Sequence, residues 1–128
     1  MSVRVVRLGT PRHPHEGLRI GTVRRPPRGV SKSRYSSDDW FDVWFPNLAP
    51  SPATMKQGLA AITEAQLRAY KKKYRAEMST PDASRSIVLL AALSHSANFS
   101  VGCYCEDEHR CHRAILRELL ADAGAKLA

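Results

Sequence analysis

Along the chain the spacing of hydrophobic positions switches between two periods, and the switches mark its elements. Val3 to Leu8, "VRVVRL", is β-branched with partial alternation and predicts a first strand, broken by the turn formers of "GTPRHPHEG". "LRIGTV", Leu18 to Val23, predicts a second strand. In "RRPPRGVSKSRYSSDD", Arg24 to Asp39, Pro26, Pro27, Gly29 and the serines exclude regular structure. A loop this long inside a compact domain is a binding element or a mobile one. It carries five basic residues.

Both tryptophans and two of the three phenylalanines follow in "WFDVWFPNLAPS", which predicts an extended segment anchored by aromatic burial. Ser51-Pro52 reads as an N-cap with proline at the first helical position, opening a short helix to about Ala61. "TEAQ", Thr63 to Gln66, has capping-box spacing. The helix it opens sets Leu67, Tyr70, Tyr74 and Met78 on one face and the run Lys71-Lys72-Lys73 on a solvated one. Thr80-Pro81 starts a third helix, whose "SIVLLAAL" is apolar nearly all round and predicts burial against a sheet. Phe99 to Tyr104 predicts a strand. A last helix runs from about Arg110 to Ala123, closed by Gly124, with Ile115, Leu116, Leu119, Leu120 and Ala123 inward. Strands separated by helices predict a single small α/β domain over residues 1–128, with a mostly parallel or mixed sheet of about three to four strands and helices packed on it.

Composition narrows the class. Hydrophobic residues at 43% and charged residues at 25% suit a soluble globular domain. No apolar run approaches the roughly 20 residues of a membrane span. The N-terminus alternates Val with Arg and lacks the apolar core of a signal peptide, so a cytoplasmic protein with no membrane association is expected. The net charge of +8 is concentrated: residues 1–35 hold nine basic side chains against one acid, Glu16, while the remainder balances eleven against eleven. Fourteen of the twenty basic residues are Arg, whose planar fork suits phosphate and carboxylate. An anionic small molecule or a nucleic acid is therefore the expected partner. Protein partners are not indicated.

"VGCYCEDEHRCHRAI", Val101 to Ile115, gathers all three cysteines, two of the five histidines and two arginines. As a strand running into a helix it places its turn where open α/β sheets bind ligands and where helix N-termini attract anions. Cys103, Cys105, Cys111 and His112 are ligands of the right type for zinc, but adjacent helical side chains at Cys111 and His112 diverge by about 100°, a poor zinc spacing. No metal or other cofactor is expected on that ground. Cys105 or Cys111 near a helix N-terminus, beside Arg110, His112 and Arg113, alternatively suits a reactive thiol with His112 as base. A Cys105–Cys111 redox disulfide is a third option, and for Cys103 a plain core position is a fourth.

Three segments carry a resemblance. "LRIGTVRRPPRGVSK", the Trp followed by "LAPSP", and "CYCEDEHRCHRAIL" resemble, in the same order, motifs of the domain-of-unknown-function 488 family over roughly residues 4–120. One departure is Pro26, where one branch of the family has an aromatic. The resemblance implies a small α/β domain and marks Arg19, Arg28, Trp40, Cys105, Cys111, His112 and Arg113 as motif positions, without supplying an activity. The combined expectation is a pocket in which Arg19, Arg28, Arg110 and Arg113 hold an anion beside Cys105, Cys111 and His112 as catalytic candidates. Three functions follow as alternatives: a thiol-dependent enzyme on a nucleotide or nucleic acid, a non-catalytic nucleic-acid-binding module, or a structural zinc protein.

Overall fold

The computed structural model describes residues 1–128. β1 (Val3–Arg7), β2 (Leu18–Gly21), β3 (Val43–Trp44) and β4 (Phe99–Cys103) form one sheet in the order β1-β4-β2-β3, with every neighbouring pair parallel. The last strand is thus inserted between the first two, with Val101 opposite both Val5 and Ile20. All five of its residues are buried, as a central parallel strand covered on both faces requires.

Four helices cover the sheet: α1 (Pro52–Ala60), α2 (Glu64–Glu77), α3 (Pro81–Leu93) and α4 (His112–Asp122). Their starts follow the sequence signals. The Ser51 side chain accepts the Thr54 N–H ahead of Pro52, and Thr63 and Gln66 form a complete capping box. The main core joins Val3, Ile20, Phe99 and Val101 of the sheet to Tyr74, Ile87, Leu90, Leu116 and Leu120 of the helices. Toward the carboxyl ends of the strands a smaller core joins Leu8, Val23, Phe41, Cys103 and Cys111.

Several expectations are corrected. α3 is amphipathic: Ile87, Leu90 and Ala91 are buried while Val88 and Leu89 are 60% and 66% exposed, because only one stripe of a surface helix can reach the sheet. α4 begins at His112, since Glu108–Arg110 form a 3-10 turn before it, and Ala123 lies outside, exposed. In the aromatic segment Phe41 is the buried anchor, whereas Trp44 stays 44% exposed and hydrogen-bonds through its indole N–H to the Val23 carbonyl. No helix is long and apolar enough to cross a membrane.

Candidate functional site

The parallel sheet sends the ends of β1, β4 and β2 to one edge, and the chain leaving each strand builds a cleft of about 730 Å³ there. Arg7 follows from β1, Arg24, Arg25 and Arg28 from β2, and Tyr104 from β4, while Trp40 closes a side. No Asp or Glu lines the cleft, and none of its four arginines belongs to an ion pair. Arg7 Nε donates to the Tyr104 carbonyl at 3.4 Å and Arg24 donates to the carbonyls of Pro50 and Ala49. Arg25 and Arg28 are exposed. The aromatic wall is held in place: Trp40 meets Tyr104 edge to face at 5.8 Å between ring centroids, and the Tyr104 hydroxyl donates to the Arg25 carbonyl at 2.9 Å. Gly9, at φ +88°, lets Trp40 approach, since a Cβ there would lie 2.7 Å from the indole.

Arg19 is not at the anion surface expected of it. It is fully buried, gripping Glu16 through Nε at 2.6 Å and Nη2 at 2.9 Å, while Nη1 donates to the carbonyls of Thr10 and Asp39 at 2.8 and 2.7 Å. Ser100 Oγ donates to the same Glu16 carboxylate at 2.7 Å. Burial pushes the Glu16 carboxyl pKa up, but the hydrogen bonds from Arg19 and Ser100 and the guanidinium charge outweigh it and hold the group below its ordinary value. The Arg19 charge is answered inside the protein, so a ligand anion has no claim on it. Its work is positional. Asp39, at φ 64°, turns its carbonyl to Arg19 and to the Gly9 N–H, and this fixes the neighbouring Trp40. The sequence held a clue: Glu16 is the lone acid among nine basic residues.

The cysteine corner lies next to the cleft. Cys105, Arg110 and His112 share a second cavity of about 210 Å³ with Cys103, and it meets the large cleft at Val23, Met55 and Tyr104. Arg28 and His112 therefore lie at the same edge of the sheet, in adjoining cavities instead of one pocket. Cys111 and His112 are buried, at 0% and 3% exposure. His112 Nε2 is 2.8 Å from the Thr22 carbonyl and Nδ1 is 3.6 Å from Cys111 Sγ. Burial lowers the His112 pKa to about 4, so the ring is neutral and donates through Nε2 to the carbonyl.

Of the options for the cysteines, a Cys105–Cys111 pairing is not seen: Cys103 Sγ faces Cys111 Sγ, and Cys105 is free and exposed. β4 ends at Cys103, whose side chain is buried, and Cys105 lies beyond the strand, where the chain has left the sheet. Desolvation pushes the Cys105 thiol pKa up against the pull of Arg113, which disfavours a thiolate. Arg113 is buried, donates to the Cys105 carbonyl at 2.7 Å and leaves Nε as a buried atom without a partner. Arg110 donates to the Ala61 carbonyl at 2.7 Å.

Of the residues singled out in the sequence, Cys105, Arg110 and His112 thus meet in one cavity and Arg28 lines the next, while Arg19, Cys111 and Arg113 are interior. Trp40, a motif position, lines the same cleft as Arg28, and Arg7, Arg24, Arg25 and Tyr104 line it without having been singled out in the sequence. The available signal was that Arg7 ends a parallel strand and Arg24, Arg25 and Tyr104 follow the ends of others, where such sheets bind ligands. Searches among curated proteins and among solved structures give no match. A family model described as the active DUF488-N3 subclade matches residues 3–124, which include every strand and every helix. The chain therefore belongs to the DUF488 family, as the order of its Pro-Arg-Gly, Trp and Cys-His-Arg motifs implied.

Proposed function

We propose that the domain binds a phosphate-bearing ligand with an aromatic base, a nucleotide or a single nucleic-acid strand, in the cleft at the carboxyl edge of its sheet. The observation that carries this reading is a cavity walled by four arginines with no acidic residue and no ion pair among them. Arg25 and Arg28 supply charge-assisted hydrogen bonds to phosphate oxygens. Trp40 and Tyr104 supply π-faces and edges against which a base packs, and such stacking is worth about 1–3 kcal/mol per base. A thiol nucleophile is not part of this reading, because Cys111 is sealed and Cys105 is held toward its protonated form.

The test is a tryptophan-fluorescence titration with a mononucleotide and with a short single-stranded oligonucleotide at rising salt. Binding that weakens with salt, and that drops about tenfold or more in the Arg25→Ala/Arg28→Ala double variant, supports the reading. The preferred probe separates nucleotide from strand. No response to either probe, or a double variant that binds like wild type, rejects it.

A further inference from the structure

The cluster at the Cys103–Cys111–His112 corner is not used by the anion cleft, and its geometry answers the objection that the sequence raised. Cys111 is the N-cap of α4, with φ −115° and ψ 154°, so it is extended and does not share the helical twist of His112. Adjacent residues can then converge. The Sγ atoms of Cys103 and Cys111 and a ring nitrogen of His112 all lie within 4.8 Å of one another.

We propose that Cys103 Sγ, Cys111 Sγ and His112 Nδ1 form a three-ligand site for a zinc-class divalent metal ion, with a fourth coordination position open to the small cavity beside the cleft. Four observations converge on it. The ligand set, two thiolates and an imidazole, is the soft N/S set that such ions prefer. The Thr22 carbonyl holds His112 Nε2 at 2.8 Å, which leaves the Nδ1 lone pair on the sulfur side; outer partners of this kind orient metal-bound histidines. The Cα atoms of Cys103 and Cys111 are 7.9 Å apart, beyond the roughly 4.4–6.8 Å that disulfides span. Two sulfurs separated by a metal ion relieve that reach.

The fourth observation is burial. All three side chains lie in the interior, where separate thiolates are unfavourable. A dication with two thiolates and a neutral imidazole is neutral overall. On binding, each thiol gives up its proton to solvent and no electrons move. Cys103 and His112 also line the cavity that contains Cys105. The open position therefore faces a space that borders the anion cleft, and a metal there would polarise a water or ligand oxygen.

The experiment uses the full chain, reduced and stripped of metal, titrated with Co²⁺ as the spectroscopic probe for zinc. The expected result is uptake of one ion per chain with thiolate-to-cobalt charge-transfer absorption and tetrahedral d–d bands, reversed by added Zn²⁺. Cys105→Ser is expected to keep these bands, and Cys103→Ser and Cys111→Ser to lose the charge-transfer absorption in whole or large part. A reduced wild-type chain that shows no thiolate–cobalt absorption overturns the proposal, whether its thiols stay free or close into a disulfide. So do bands that survive in both Cys103→Ser and Cys111→Ser, or that vanish in Cys105→Ser. Phosphate or oligonucleotide binding plays no part in this readout, so it stands apart from the function proposed for the cleft.

Discussion

Glu16 and Arg19 show how one ion pair serves both stability and the site. Removing one partner of a buried pair leaves the other charge stranded, at a cost of about 3–5 kcal/mol. Glu16→Gln is expected to lower the unfolding free energy by that order in urea at neutral pH. The glutamate's folded pKa is depressed below its ordinary 4.5, so its stabilising contribution is present above 4.5 and is lost as pH falls through the depressed value. Wild type should therefore lose stability on acidification below about 4.5, and Glu16→Gln should lack that component. Equal acid sensitivity in the two proteins would contradict this assignment. Gly9→Ala acts at the same point from the other side. Its positive φ and its contact with Trp40 should cost about 1–2 kcal/mol or more, with a shift in tryptophan emission. These residues were poorly legible in the sequence. Arg19 reads the same whether it faces an anion or a glutamate three positions earlier, and only the packed loop decides.

At the scale of elements the sequence was far more readable, because helix starts are local chemistry. Ser51-Pro52, Thr63 with Gln66, and Thr80-Pro81 each open a helix where their capping pattern places it. Thr63→Ala removes half of a capping box and is expected to cost about 1 kcal/mol, measurable as a lower urea midpoint with an unchanged slope. The failures were those of tertiary context. The apolar run of α3 looked buried all round because hydrophobicity does not state how many faces a helix has to cover, and Val88 and Leu89 remain outside. The pair Cys111-His112 looked divergent on the assumption that both were helical, and the extended backbone of Cys111 reverses that.

For the whole molecule, the parallel α/β architecture was legible from the alternation of strand and helix patterns, but the insertion of β4 between β1 and β2 was not, since no local signal encodes strand order. That insertion creates the candidate site. It separates the ends of β1 and β2 by one strand, so that arginines from both and Tyr104, which follows the inserted strand, line one cleft. It also brings Arg7, Arg24, Arg25 and Arg28 of the basic first quarter to one cleft, while Arg19 of the same quarter is interior. The Lys71-Lys72-Lys73 run, by contrast, lies on α2 and outside the cleft lining.

The most direct test of the central claim is to map binding on the molecule itself by recording amide and indole ¹H–¹⁵N spectra during titration with a short single-stranded oligonucleotide. The largest perturbations are expected on Gly9, Thr10, Arg25, Arg28, Tyr104 and the Trp40 indole, fading as salt rises. Perturbations centred on Lys71 to Lys73, with the cleft unmoved, would contradict it.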